Sequence, residues 1–322
     1  MVTGGAGYIG SHVVRELAKA EIPVLVFDNL STGVASFIPE DVPSIHADLL
    51  DSVALSNAMA QHSVTGVIHI AGYKFAGQSV ERPLHTYQQN VVAMMNLLHS
   101  MSENGVRKIV FSSSSSVYGN AASGLVDEHY PFNPTSPYGE SKVIGEWLLR
   151  NQGVATGLTH TSLRYFNVVG SGDPELPDVS PYNLFSMVFA GLENNRTPVI
   201  FGDDYDTPDG TCIRDYIHVA DLARAHVSAA VRMDRGDTVE QAYNLGSGVG
   251  TSVAEMMGAI SRVTGIDFVP EIGPRRAGDP ARVVASGNKA AQDIDWSMRF
   301  GLDDMIRSAY EARANIPHSD NS

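Results

Sequence analysis

A single cysteine, Cys212, stands in the 322-residue chain, so no internal disulfide can form and nothing points to an oxidising compartment. Lysine is scarce as well, with five residues, and 22 Lys+Arg against 36 Asp+Glu give a formal net charge of −14. A surface that acidic argues against nucleic acid or an anionic membrane as the main partner. No apolar run approaches membrane-spanning length, and the 11 histidines show no metal-ligand spacing. The chain is expected to have no leader segment ahead of its first structural pattern and to be cytoplasmic. What is present suits a chain that buries a core: 43% hydrophobic and 18% charged residues, which excludes disorder. The length implies one large fold or two joined domains.

Short apolar runs at 24–27, 44–46, 66–70, 108–112 and 158–163 alternate with helical periodicity at 9–20, 83–103 and 137–150. Strands alternating with helices predict βαβ units, and hence an α/β fold with a doubly wound parallel sheet covered on both faces. The second half is less regular, with Gly, Pro and Asp crowding 170–181 and 202–210 into long loops. A helix at 218–233 and a strand at 242–245 read as a return to the main sheet. The first domain is therefore drawn at 1–166 plus about 217–246, and a smaller discontinuous lobe at about 167–216 and 247–322. The polar tail after Asn315 is expected to fray.

The chain opens Met1-Val-Thr-Gly-Gly-Ala-Gly-Tyr-Ile-Gly-Ser-His12. Gly4, Gly7 and Gly10, between a strand end and an amphipathic helix, let the backbone turn tightly and approach a diphosphate at the positive helix end. A glycine-rich turn without a ligand is the alternative. Asp28 weighs against it, because it lies at the next strand end about 20 residues on, where a carboxylate accepts from a ribose 2′-hydroxyl. No Lys or Arg occurs between Lys19 and Lys74 to neutralise a 2′-phosphate, so NAD is favoured over NADP. Asp48 follows the third strand and either meets the adenine or caps the helix beginning at Ser52. Asn90 lies inside a helix, where its low propensity needs an exposed face or a cofactor contact.

The strand at 108–111 runs into Ser112-Ser-Ser-Ser-Ser116, at a strand carboxyl end where such sheets bind ligands. Farther along comes Ser136-Pro-Tyr138-Gly-Glu-Ser-Lys142. Pro137 suits a first helical turn, which sets Tyr138 and Lys142 at i and i+4 on one face. The Lys142 ammonium is expected to favour the Tyr138 phenolate, since moving a tyrosine from about 10 toward 7 requires roughly 4 kcal/mol. Chance pairing of a tyrosine and a lysine is common, but its coincidence with a serine-bearing strand end and a dinucleotide loop is not. Arginine suits a diphosphate through forked hydrogen bonds. Arg214 and Arg276 sit in glycine- and aspartate-rich loops, either there for that purpose or as surface residues paired with Asp215 and Asp279. Lys74 stands open between surface and site, and Cys212 reads as a small packing residue.

Together these residues resemble the extended short-chain dehydrogenase/reductase family and, within it, the UDP-glucose 4-epimerases. The blocks that carry the likeness span nearly the whole chain: the opening glycine loop, Phe27-Asp-Asn-Leu30, Ala71-Gly-Tyr-Lys74, Gln78-Ser-Val80 and Phe111-Ser-Ser-Ser114. In the second half they are Leu163-Arg-Tyr-Phe-Asn167, Phe201-Gly-Asp-Asp-Tyr205, Asp209-Gly-Thr211 and Arg214-Asp-Tyr-Ile-His218. Tyr243-Asn-Leu-Gly-Ser-Gly-Val-Gly250 and Arg275-Arg-Ala-Gly-Asp279 complete them.

The resemblance implies that Tyr138 is the catalytic base and acid, that Lys142 grips the nicotinamide ribose, and that Ser114 hydrogen-bonds the sugar hydroxyl. Gly4, Gly7, Tyr8, Ile9, Gly10, Asp28, Asn29, Asp48, Leu49, Ala71, Gly72, Lys74, Asn90 and Phe166 would border NAD with that pair. Asn167, Asn183, Leu184, Val199, Phe201, Arg214, Tyr216, Arg276 and Asp279 would hold a UDP-hexose. The implied reaction interconverts UDP-galactose and UDP-glucose by oxidation at C4, turning of the 4-keto sugar, and reduction on its other face. A 4,6-dehydratase, a decarboxylase or a UDP-N-acetylhexosamine epimerase is the alternative, and a non-catalytic dinucleotide sensor a more distant one. A dehydratase needs an added acid pair where Ser115 and Ser116 stand. Val283 occupies the position that gates sugar size in the family, smaller than the tyrosine of strict hexose enzymes, and implies some turnover of N-acetylated sugars. A homodimer through the helices at 83–103 and 137–150 is the family expectation. Only Met1 and Val2 precede Thr3, so the first strand is expected to be two or three residues short.

Overall fold

A computed structural model describes residues 1–120, 125–181, 183–276 and 279–316. Among them the main sheet has seven parallel strands: β1 (Val2–Thr3), β2 (Val26–Asp28), β3 (Ser44–His46), β4 (Val67–His69), β5 (Lys108–Ser112), β6 (Thr159–Tyr165) and β7 (Ala242–Leu245). Their order is β7-β6-β5-β4-β1-β2-β3, the doubly wound arrangement the alternation predicts. Short as it is, β1 sits inside the sheet, with Thr3 opposite Phe27 on one side and His69 on the other. The winding reverses between β1 and β4, and the crevice beyond the strand ends at that reversal is where such sheets hold ligands.

Alternation along each strand supplies both faces with apolar side chains. In β5, Val110 joins a core with Val13, Val14, Leu222 and Leu245, under the helices Tyr8–Lys19 and Val219–Arg235. Ile109 and Phe111 join a second core with Leu55, Met94, Leu97 and Leu149, under the helices Ser52–Gln61, Ala93–Glu103 and Pro137–Thr156. The helix expected to end at 150 continues to Thr156, where Gly157 at φ 72° provides a left-handed stop. The segment expected as one helix at 83–103 keeps its course but passes through a π-helical stretch, Gln88–Val92.

Beyond the main sheet, Asn167–Val169 pairs with Tyr216–His218, and Val199–Phe201 with Glu271–Gly273. A four-stranded sheet orders Thr251–Ser252, Ile213–Arg214, Arg282–Ala285 and Leu125–Val126. A third core around Phe185, Met256, Ile260 and Ile306 lies among the helices Leu184–Glu193, Val253–Thr264 and Leu302–Ala312. From residue 317 the polar tail lies outside the described residues.

Candidate active site

The loop after β1 is shaped by crowding. A Cβ on Gly10 would lie 1.9 Å from the Gly4 carbonyl oxygen, and one on Gly4, at φ 74°, 2.6 Å from the Ala71 amide nitrogen. Only glycine permits either approach, and the second brings the loops after β1 and β4 into contact at the winding reversal. The helix Tyr8–Lys19 then starts at Gly7 with no side chain capping its first amides and no acidic residue in its first turn. Such an end suits an anionic ligand.

Asp28 ends β2 and is nearly buried. One carboxylate oxygen accepts from Ala6 N at 2.9 Å and the other from Leu30 N at 2.8 Å. It braces the glycine loop and keeps lone pairs for a further donor. Asp48 accepts from Asn29 Nδ2 and Leu50 N, each at 2.8 Å. The capping alternative for Asp48 is thereby overturned: Asp51 caps the helix Ser52–Gln61, accepting from Val53 N and Ala54 N. Leu49 is buried in the second core.

Tyr8 is buried, and its hydroxyl donates to Gly170 O at 2.5 Å. Ile9 packs against the first core. Asn90 is also buried, which overturns the exposed-face alternative. Its Oδ1 accepts from Tyr73 N at 2.7 Å, while Nδ2 donates to Tyr73 O at 3.0 Å and Ser141 Oγ at 2.9 Å. It thus clamps the loop after β4 onto the helix Pro137–Thr156. A Cβ on Gly72 would lie 3.1 Å from Asn90 Oδ1 and 3.9 Å from Lys142 Nζ, so these residues meet. Lys74 is exposed, its ammonium 5.8 Å from the Phe75 ring centre. Phe166, half-buried, directly follows β6.

Ser112, Ser113 and Ser114, at the end of β5, each have a different partner. Ser112 bonds His226 Nε2 through Oγ at 2.7 Å, and its carbonyl accepts from Lys142 Nζ at 2.8 Å. Ser113 Oγ donates to Glu146 Oε1 at 2.6 Å, and Ser114 hydrogen-bonds Tyr138. Ser136 begins the tyrosine helix by accepting from Gly139 N at 3.2 Å. Tyr138 and Lys142 then lie one turn apart, with Nζ 5.7 Å from the tyrosine ring centre. Burial pushes Lys142 down to about 8 while the Glu146 carboxylate pushes it up. Burial pushes the Tyr138 phenol up and the Ser114 hydrogen bond pulls it down. Among the protein's own groups burial prevails and leaves Tyr138 above its ordinary value.

The second-half residues form three clusters. Arg276 lies over Phe201, its guanidinium carbon 3.9 Å from the ring centre, at the end of the strand begun by Val199. Arg214 pairs with Asp279 at 3.4 Å and donates to Pro280 O at 2.8 Å. Asp215 is no surface partner: it is fully buried and accepts from Ser247 N and Ala285 N. Tyr216 is buried opposite exposed Asn167, whose amide donates to Asp215 O. Asn183 precedes Leu184 at the start of its helix and donates to Asp178 Oδ2 at 2.5 Å. Cys212 is buried, as its packing reading requires.

The sequence reading missed Glu146, Arg164, Tyr165 and His226, which surround the pair from beneath. Glu146 had a signal, since it follows Lys142 at i+4 on the same helix face.

Residues 1–246 match the NAD dependent epimerase/dehydratase family. A UDP-glucose 4-epimerase of Halalkalibacterium halodurans is 41% identical over 324 residues, covering 99% of this chain and 96% of that one. The crystal structure of UDP-glucose 4-epimerase from Brucella ovis in complex with NAD aligns with a TM-score of 0.93 at 38% identity, over 98% and 97% of the two chains. The enzyme of that description from Stenotrophomonas maltophila, with bound NAD and formylated UDP-arabinopyranose, gives 0.91 at 37%, over 97% of each.

Proposed function

The chain belongs to the NAD dependent epimerase/dehydratase family, and from that membership and the site we infer that it is an NAD-dependent isomerase interconverting UDP-galactose and UDP-glucose. The meeting of Ser114, Tyr138 and Lys142 beyond β5, with Lys142 near Gly72 in the loop after β4, carries this reading.

The residues fit NAD. The crowded glycines and the uncapped helix start leave room and amides for its diphosphate, and Asp28 offers a carboxylate to its ribose. Gly7, Ile9, Gly10, Asp28, Ala71, Gly72 and Lys142 would hold it. Bound there, NAD supplies a positive charge, the two-electron oxidant for C4 of the sugar and, once reduced, the reductant that restores it. Tyr138 Oη takes the proton of the 4-hydroxyl and later returns it, while Ser114 Oγ hydrogen-bonds the same oxygen. Lys142 carries positive charge beside the phenol and favours its ionised form. Arg214, Arg276 and Asn183 hold the UDP, and the hexose, gripped less, turns between proton removal and return.

Residues 1–166 with about 217–246 form the NAD lobe in this reading, and 167–216 with 247–322 the sugar lobe. Val283 lies opposite Arg214 in the strand pairing, and its small side chain, if it gates sugar size as the resemblance implies, would admit N-acetylated sugars. Adding UDP-galactose to the purified protein should yield UDP-glucose, and heat-denatured protein should release a dinucleotide absorbing near its usual band. Absence of both overturns the reading. UDP-N-acetylglucosamine tests the gate in the same assay.

A further inference from the structure

Tyr138, Lys142 and Glu146 follow one another at i, i+4 and i+8 on the helix Pro137–Thr156, and so share a face. Beneath Lys142 that face ends on an ion pair almost closed to water, with Glu146 8% and Arg164 5% exposed. Arg164 grips the carboxylate with two donors, Nε to Oε1 at 2.9 Å and Nη2 to Oε2 at 2.5 Å. Its third nitrogen donates to the Tyr118 hydroxyl at 2.8 Å and to Glu128 O at 3.1 Å. The Tyr118 hydroxyl donates to Asn244 Oδ1 at 2.7 Å, and Asn244 Nδ2 donates to Val126 O at 2.9 Å. The network is well satisfied, yet stability alone gives little reason for two buried charges here, because apolar replacements of such pairs are often neutral or better.

We propose that Glu146 and Arg164 are positioning residues whose opposed charges set the charge on Lys142, and through it the pH range in which Tyr138 works. The proposal rests on the epimerase reading for its second half only.

The surroundings of Lys142 leave few other sources of charge. Tyr138 and Glu146 stand near it on its own helix, His69 on β4, and Phe111 and Ser112 on β5, while from β6 Arg164 reaches it through Glu146 and Tyr165 through Tyr138. His226 reaches it through Ser112 from the helix Val219–Arg235. Burial pushes His69 down to about 3 and His226 to about 4, and it pushes both tyrosines up, so all four are neutral near pH 7. Among the described residues named here, the charges left to act on Lys142 are thus the Glu146 carboxylate and, through its ion pair with that carboxylate, the Arg164 guanidinium. Ser113 ties the pair to the same strand end, donating to Glu146 between the residue that holds Lys142 and the one that holds Tyr138.

The two partners must then shift Lys142 in opposite directions. Glu146→Gln removes the carboxylate and leaves Arg164 uncancelled, so Lys142 gives up its proton earlier, by roughly one pH unit. Arg164→Gln leaves the carboxylate uncancelled, so Lys142 holds its proton longer. The double variant Glu146→Gln/Arg164→Met, which buries no unpaired charge and guards against misfolding of the singles, titrates between Glu146→Gln and the unaltered chain. With five lysines, protein labelled with ¹³C at the lysine ε-carbon gives a spectrum simple enough to follow each one, the Lys142 signal being that lost in Lys142→Arg. The expected order of Lys142 midpoints is Arg164→Gln, unaltered, double variant, Glu146→Gln, from high to low, with the alkaline limb of kcat following it. Single variants that shift Lys142 the same way, or a double variant that matches the unaltered chain, overturn the proposal. An alkaline limb that stays fixed while the midpoints move overturns its second half. Failure of the unaltered protein to turn over UDP-galactose counts against the epimerase reading and leaves the midpoints to judge the pair.

Discussion

At Tyr138 two local effects oppose each other: burial raises the phenol, and the hydrogen bond from Ser114 lowers it. A base in that position works only when a positive charge stands beside it, which Lys142 and the cofactor together bring. Tyr138→Phe removes the group that moves the proton and should lower kcat by roughly 10²- to 10⁴-fold. UDP affinity, measured by calorimetry, should hardly change, since the proposed nucleotide contacts lie elsewhere. Ser114→Ala should cost less, because the tyrosine remains, and a loss as large as that of Tyr138→Phe would make the serine the base. Asp28 has two duties that one substitution separates. Asp28→Ala strands the amides of Ala6 and Leu30, each costing about 1–3 kcal/mol when buried without a partner, so it should lower the melting temperature as well as the dinucleotide content. Dinucleotide loss with unchanged melting of the ligand-free protein would remove the bracing role.

The helix Pro137–Thr156 is the element on which the chemistry hangs, and its first turn is fixed by Ser136 and Pro137. Ser136→Ala removes the cap on Gly139 N and should cost about 1 kcal/mol, with Ser136→Asp restoring most of it. Melting curves of the two variants decide this, and equal losses would mean that the helix start is held by Pro137 alone. The same helix shows why so much was legible in the chain. Its i, i+4 spacing, a proline at the start and a serine ahead of it are local signals, and so are the glycine loop and the alternation that gives the sheet. Asp51 rather than Asp48 as the cap of the next helix was a near miss of three residues, because either carboxylate suits the position and only the turn decides. Arg164, Asn244 and Tyr118 carried no such signal, since their partners lie 18 to 126 residues away and meet only once β6, β7 and the helix are assembled. The exposed-face alternative for Asn90 fails for a related reason: the residue lies in a π-helical stretch and is buried, holding the Tyr73 backbone.

On the scale of the molecule, Leu84, Val92, Met95 and Trp147 leave large apolar side chains exposed on the segments Pro83–Glu103 and Pro137–Thr156, the two through which the resemblance implies a homodimer. Sedimentation should then give about twice 34.5 kDa, and Met95→Glu with Trp147→Glu should return a monomer. The histidines bear on cohesion in a different way. His12 Nε2 accepts from Gly172 N at 2.9 Å, His218 Nδ1 from Ala220 N at 3.0 Å, and His226 Nε2 bonds Ser112 Oγ while its other nitrogen meets Leu222 O. An accepting ring nitrogen must be unprotonated. Burial accordingly pushes His12, His218 and His226 down to about 4 and His69 to about 3, from an ordinary 6.5. Below pH 6.5 the unfolded chain binds protons that the folded one refuses, so stability is full above that pH and is lost as pH falls toward 4. Each histidine adds a slope of about 1.4 kcal/mol per pH unit within that window. Asp215, whose carboxyl burial pushes up, works in the opposite sense. Urea unfolding at pH 7, 6 and 5 should therefore show falling midpoints well above the range where ordinary carboxylates titrate. His12→Gln, which keeps an acceptor for Gly172 but no titrating ring, should flatten the fall by one share, and a stability indifferent to pH between 6.5 and 5 would mean that these rings are not held neutral.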